Sequence, residues 1–409
     1  MSGRWRELLR ALGIDRPGSE ATLACPGAGC RPIGSETRDR ETHDPKGGRR
    51  GHLVRVGTGP VRVLAGVRGC LSGRGRLQRF RQLRRLRWQL GQFRRLERLE
   101  HLDHQHERFE AVNSSRYERH RFRSMGTDVE VIGEGSIAAF RSVADAIEAV
   151  FHEHDHRFSR FRPDSELSWV NDRAGRWVTV SPGFAALVRV ALRGARETDG
   201  LFDPTLLPAV IGAGYDRDFA LLRPSDRAPA RPAGPAGAWR HVRLEGRRLR
   251  LPPGTGLDFG GVAKGWAVDR AITATAGLSW AAVNAGGDLR VVGEVPDGEL
   301  LVGVDDPRRS GHEVAQLLLT EGALATSSVT ARTWGPAAHH LIDPRTWLPA
   351  DTRVLQATVW APTCAGAEIR SKFALLGGRG SLERMLAILV SNDGRLERSI
   401  AAREPLEVA

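Results

Sequence analysis

The sequence is short of cysteine and of aromatic residues, and it has no long apolar run. Four cysteines in 409 residues cannot cross-brace a chain of this size, which excludes a disulfide scaffold. No window approaches the roughly 18 uninterrupted apolar residues of a spanning helix, so no membrane span is expected. Aromatic residues make up 6% of the chain, yet 41% of it is hydrophobic. That is enough for one large core or two ordinary ones, and it excludes a chain disordered throughout.

A formal net charge of +13 points to nucleic acid or an acidic surface until its distribution is considered. Residues 1–115 hold 24 Lys and Arg against 12 Asp and Glu, which leaves 37 against 36 in residues 116–409. The body is near neutral and carries a basic extension. Residues 1–75 are Arg, Gly, Pro and Ser without a period and are expected to be disordered. Residues 76–110 place Leu77, Phe80, Leu83, Leu86, Leu90, Phe93, Leu96, Leu99 and Leu102 at steps of three with one of four. That period drifts around a helix by roughly 60° per turn, which makes a poor coiled coil.

Three readings of the extension compete: a basic amphipathic helix for membranes or nucleic acid, a partner-binding tail, and a reading frame begun too early. Arginines surround the apolar residues on all sides, which favours the last two, and nucleic acid is not the expected partner. Thr22-Leu23-Ala24-Cys25 resembles a lipoprotein cleavage site, but Arg4, Arg6, Arg10, Asp15, Arg16 and Glu20 stand where an export signal is apolar. A cytoplasmic location is therefore expected. Cys25, Cys30, His43 and His52 make a weak zinc pattern. His152, His154 and His156 read as solvated, although His152 and His156 have a metal-sharing spacing.

From Tyr117 the texture changes. Residues 137–161 carry Ala138, Val143, Ile147, Val150, Phe151 and Phe158 on a helical stripe. Ser181 and Pro182 open a second helix that Gly200 closes. Residues 223–239 read as a Pro/Ala/Gly loop, and residues 241–252 as a hairpin turning at Glu245-Gly246. Strands outnumber helices and seldom alternate with them, which predicts an α+β fold in one unit, 116–409.

Chemistry concentrates in a few places. Leu257-Asp258-Phe259-Gly260-Gly261-Val262-Ala263-Lys264 is an apolar strand end, a glycine pair and a helix start. Such a turn brings backbone N–H groups and an ammonium near an anion, or is simply a tight connection. Asn284-Ala285-Gly286-Gly287-Asp288 is a second Gly pair before a carboxylate. His340, near Asp343-Pro344-Arg345, is a candidate general base or a turn anchor. Glu368, Ser371 and Lys372 share one helix face, as a functional set or a surface ion pair.

Taken in order, Ser124-Met125-Gly126-Thr127, Phe158-Ser159-Arg160-Phe161, Thr198–Thr205, Leu257–Asp269, Asn284–Asp288, Ala325–Ser328 and His340–Thr346 resemble the FAD:protein FMN transferases of the ApbE family. The resemblance spans about residues 117–400 and implies a two-layer α+β protein of mostly antiparallel sheets with packed helices, related to the T-fold. It also implies transfer of the FMN half of FAD to a Ser or Thr hydroxyl of an acceptor flavoprotein, with Mg²⁺ at the pyrophosphate and AMP released. Asp258 and Lys264 would contact FAD, and Met125, Phe161, Phe202, Asp203 and Pro204 would line the flavin site. The Gly261 carbonyl, Glu368 and Ser371 would face the metal, and His340 would be the base. Hydrolysis of FAD to FMN and AMP, or FAD binding without turnover, are the alternatives.

Three positions depart from the family pattern. Glu368 and Lys372 stand where it typically carries Asp and Thr, and Trp347 where its HxxDPRTG run has glycine. A protonated lysine has no acceptor for a cation. Either Glu368, Ser371 and backbone oxygens hold Mg²⁺, or the Lys372 ammonium takes over part of the charge neutralisation.

Overall fold

The structure, a computed structural model, describes residues 53–56, 61–66, 117–223, 237–295, 300–335 and 338–399. Contacts group residues 49–409 into one unit, to which the elements below belong. The 76–110 stretch and the set Cys25, Cys30, His43 and His52 lie outside the described residues.

The strands are β1 (Leu53–Val56), β2 (Val61–Gly66), β3 (Glu118–Ser124), β4 (Thr127–Glu134), β5 (Trp280–Ala285), β6 (Asp288–Gly293), β7 (Leu300–Asp305), β8 (Glu313–Leu319), β9 (Gly322–Ser328), β10 (Val354–Ala361), β11 (Ala387–Ser391) and β12 (Leu396–Arg398). Shorter strands are named by residue range. The helices are α1 (Ile137–Phe158), α2 (Glu166–Asn171), α3 (Pro182–Glu197), α4 (Leu207–Gly212), α5 (Ala263–Ala271) and α6 (Cys364–Gly377). Eight strands form one antiparallel sheet in the order β12-β11-β10-β9-β6-β5-β4-β3. β3 and β4 meet at Met125-Gly126, with φ of 52° and 69°, the paired left-handed geometry that suits a two-residue hairpin turn.

Alternation along the central strands decides what covers each face. Val129, Val131, Val283, Ala285, Ala323 and Ala325 point one way, against Val143 and Ile147 of α1 and Ala267 and Val268 of α5. Trp280, Ala282, Leu289, Val291 and Leu324 point the other way, against Val302 and Val304 of β7 and Leu317 and Leu319 of β8. The expected arrangement of packed helices and antiparallel sheet is present, and a second sheet, in the order β1-β2-β7-β8, covers the opposite face.

β1 and β2 fall inside the extension whose first 75 residues were expected to be disordered. β1 pairs antiparallel with β2, and β2 with β7, where Val63 is opposite Val302 and Leu64 opposite Leu301. Reading the composition over the whole stretch averages out two short Val/Leu runs flanking Gly57-Thr58-Gly59-Pro60, which is a hairpin pattern.

The helix ends follow the sequence signals. Ser181 caps α3 by accepting from the Phe184 N–H at 3.2 Å, and Pro182 opens the helix. The Glu245-Gly246 hairpin forms and joins Trp177–Thr179 in a three-stranded sheet. α1 spans the expected stripe, with Phe140 inside instead of Ala138. His154 was expected to be solvated, yet it packs inside against Phe158 and its ring bonds the Val150 carbonyl at 2.7 Å. It lies on the Ile147–Phe151–Phe158 face, which helical spacing fixes whatever the polarity of its neighbours. His152 and His156 do not share a site; the first faces Glu148 at 3.3 Å and the second Asp164 at 3.3 Å. Among the described residues, no helix is long and apolar enough to cross a membrane.

Candidate functional site

Residues 257–261 run as an irregular segment tied on both sides. The Asn171 amide, at the end of α2, brackets Leu257 by accepting from its N–H at 2.7 Å and donating to its carbonyl at 2.9 Å. The Asp258 N–H then donates to the Pro204 carbonyl at 2.8 Å. Beneath, Leu257 and Phe259 sink into a core with Phe184, Leu187 and Leu249. The segment therefore presents Asp258, Gly260 and Gly261 outward while its apolar side chains anchor it.

α5 follows and packs tightly on α6. A methyl group on Gly265 would fall 2.6 Å from the Cys364 carbonyl, so only glycine permits this approach. Each helix caps the other. Glu368 of α6 accepts from the Gly265 N–H of α5 at 2.8 Å, and Asp269 of α5 accepts from the Cys364 and Ala365 N–H groups of α6 at 2.9 and 3.0 Å. The positive end of α5, which the sequence left open to an anion or to a tight connection, holds the Glu368 carboxylate.

Around Glu368 lies a compact charge cluster. Lys264 Nζ sits 2.6 Å from Glu368 Oε1 and 2.8 Å from Asp288 Oδ2. Lys372 Nζ is 3.6 Å from the same Glu368 oxygen, and donates to the Glu368 carbonyl at 3.2 Å and to Ser327 Oγ at 3.4 Å. Ser371 bonds Ser327 at 2.7 Å and donates to the Glu368 carbonyl at 2.8 Å. Burial alone would lower the Lys264 pKa, but Asp288 and Glu368 reverse that and hold it above the ordinary lysine value. For Glu368, burial pushes up, and Lys264 with Lys372 pulls it below the usual carboxylate range. Asp288 is raised by burial and by Glu368. Lys372 is lowered by burial against the pull of Glu368.

Both ammonium groups line a cavity together with Met125, Phe161, Phe202, Asp203, Asp258, Gly261 and His340. One wall is aromatic: the Arg160 guanidinium lies 4.1 Å from the Phe161 ring centroid and 4.4 Å from that of Tyr215. His340 has a buried Nδ1 with no hydrogen-bond partner. Burial, then the charges of Arg332 and Lys372, hold its pKa well below the ordinary imidazole value. It is therefore a neutral imidazole at neutral pH, with a ring nitrogen left to accept a proton.

A profile of the ApbE family matches residues 125–396. The chain belongs to the ApbE family. A Rhodobacter capsulatus protein named FAD:protein FMN transferase is 32% identical over 233 residues, which is 54% of this chain and 44% of that protein. A Vibrio cholerae protein of the same name is 27% identical over 214 residues, 50% of this chain and 64% of that one. The chain thus spans less than two thirds of either relative's length. The solved ApbE protein of Thermotoga maritima MSB8 superposes with a TM-score of 0.64 at 26% identity, over 71% of this chain and all of that one. The flavin transferase ApbE of V. cholerae shares the fold, with a TM-score of 0.57 at 23% identity, over 70% of this chain and 99% of that one.

The candidate ApbE site residues fall into three groups. Met125, Phe161, Phe202, Asp203, Asp258, Gly261, Lys264 and His340 line one cavity. Pro204 is not among its lining residues and contributes a backbone carbonyl to the Asp258 N–H. Glu368 and Ser371 lie behind the cavity wall, 1% and 0% exposed. Two cavity carboxylates have local partners: Asp203 accepts from the Thr205 N–H at 2.8 Å, and Asp258 accepts from the Gly260 N–H at 2.6 Å and faces Arg160 at 3.5 Å. Sequence reasoning assigned no role to Tyr215, Arg332 or Asp288. Only Asp288 had a signal, in its Gly-Gly-Asp run.

The set expected to hold Mg²⁺ does not fit a divalent cation. Glu368 has Lys264 on one oxygen and the Gly265 N–H on the other, and the Ser371 hydroxyl is committed to Ser327 and the Glu368 carbonyl. A methyl group on Gly261 would meet Lys372 Cε at 2.8 Å. The lysine arm therefore fills the gap between Gly261 and Glu368, where Mg²⁺ would need oxygen donors in near-octahedral array. Among the described residues, no group of three or more His, Cys, Asp or Glu side chains is placed to hold a metal.

Proposed function

We propose that this chain transfers the FMN half of FAD to a Ser or Thr hydroxyl of an acceptor flavoprotein and releases AMP. The observation that carries the reading is the unpartnered Nδ1 of a neutral His340 in the same cavity as the Lys264 and Lys372 ammonium groups. The acceptor oxygen forms a bond to the FMN phosphorus while the bond from that phosphorus to the bridging oxygen breaks. AMP leaves with the bridging oxygen, and the hydroxyl proton passes to His340. Little covalent chemistry is asked of the protein, so catalysis rests on holding the groups in line, offsetting phosphate charge and accepting the proton. Phe161, Phe202 and Tyr215 supply apolar surface for a planar ring.

The test follows AMP release from FAD by chromatography, using the full chain with and without the acceptor domain of a covalently flavinylated protein. Wild type is expected to release AMP and leave fluorescent flavin on the denatured acceptor. His340→Ala should bind FAD but lose about 10²–10⁴-fold in rate, the usual contribution of a general base. AMP without flavin on the acceptor would reassign the reaction to hydrolysis, and undiminished rate in His340→Ala would remove the base.

A further inference from the structure

The misfit between this site and a divalent cation has a positive side. Charges in the cluster balance before any substrate arrives: Lys264 and Lys372 against Asp288 and Glu368. A dinucleotide pyrophosphate brings two more negative charges, which need cationic partners in a site shielded from water. Arg332 supplies one. It lines the same cavity and donates to two neutral acceptors, the Gly126 carbonyl at 3.1 Å and the Tyr215 hydroxyl at 3.4 Å. Among the described residues no carboxylate is found paired with it. Lys372 supplies the other: it donates to a buried hydroxyl at 3.4 Å and a backbone carbonyl at 3.2 Å, and its approach to the Glu368 Oε1 that already bonds Lys264 is 3.6 Å, too long for a hydrogen bond, which leaves an N–H for a phosphate oxygen. His340 lies within the field of both cations.

Resting on the flavin-transfer reading, we infer that Lys372, with Lys264 and Arg332, offsets the pyrophosphate charge in this chain, and that FAD binds and is cleaved without a divalent cation. Lys372 reaches the gap between Gly261 and Glu368 from the face of α6, and its stem is held against the Gly261 backbone. Glycine at position 261 makes room for that stem. The approach of a phosphate also strengthens the charged form of Lys372, which burial otherwise weakens.

The experiment uses the full chain, stripped with EDTA. FAD affinity is read by flavin fluorescence in EDTA and in excess MgCl₂, cation binding by the electron paramagnetic resonance of added Mn²⁺, and AMP release by chromatography. FAD affinity is expected to differ by less than about threefold between the two buffers, with AMP release undiminished in EDTA and no stoichiometric Mn²⁺ site. Lys372→Met should weaken FAD about tenfold or more in both buffers, and Lys372→Arg should restore most of it, with thermal unfolding confirming folded protein. An affinity that rises tenfold with Mg²⁺, or one tightly bound Mn²⁺ per chain, overturns the inference while leaving flavin transfer standing. FAD unbound in either buffer removes the flavin reading itself. If Lys372→Met does not fold, the wild-type comparison alone decides.

Discussion

Trp347 sits at φ 62°, in the left-handed region that a bulky side chain disfavours, and is 2% exposed. The loop keeps the backbone path a glycine would take, because the Trp347 N–H donates to the Asp343 carbonyl at 2.8 Å and closes the turn. Its ring fills a core with Leu206, Val210 and Trp334. Strain of about 1–3 kcal/mol is thus set against the burial of a large ring, whose removal costs about 3–5 kcal/mol. Trp347→Gly should lower stability by roughly 2 kcal/mol in denaturant titration, although it restores the residue the sequence pattern favours there. A variant as stable as wild type would mean that the ring contributes little beyond its strain. The substitution was legible in the sequence, but whether the loop would reroute was not, since the answer lies in three helix and loop segments that fold around the ring.

At the scale of elements, the reciprocal caps between α5 and α6 hold the site together. Asp269 accepts from two α6 N–H groups and pairs with Arg290, whose side chain is 24% exposed. Asp269→Ala strands two helix-end donors and a partly buried guanidinium, and is expected to cost about 3 kcal/mol, whereas Asp269→Asn, which keeps one acceptor, should cost less. Chemical denaturation of the full chain measures both, and an Asp269→Ala protein as stable as wild type would show that water replaces the cap. The sequence placed Glu368, Ser371 and Lys372 on one helix face because that follows from spacing alone. It left the start of α5 open to an anion or a tight connection, because a helix start looks free until its tertiary partner is known. Glu368, 103 residues away from Gly265, is that partner, and no local pattern announces it. The β1–β2 hairpin was missed for a related reason, since β7, the strand that pairs with β2, begins more than 200 residues later.

Over the whole molecule, the cavity gathers Met125, Arg160, Lys264, Arg332, His340 and Lys372 from segments spread across about 250 residues. The ordered motif blocks made most of these positions readable. Their mutual charge was not readable, because it depends on which cations face which ring. That arrangement fixes a pH dependence. The His340 pKa lies well below the ordinary imidazole value through burial and the charges of Arg332 and Lys372, and in the proposed role as base His340 works in its neutral form. Activity is therefore present above the lowered pKa and lost as pH falls through it, so the acidic limb of kcat/KM should lie below about 6.5. Arg332→Gln removes one of the opposing charges while keeping donors for the Gly126 carbonyl and the Tyr215 hydroxyl, and should move that limb to higher pH. Bound pyrophosphate adds negative charge beside His340, so the limb of kcat should sit above that of kcat/KM. AMP release measured from acid to neutral pH checks all three signs. A wild-type limb at or above the free imidazole value, or one unmoved in Arg332→Gln, would remove these cations from the neighbourhood of the base.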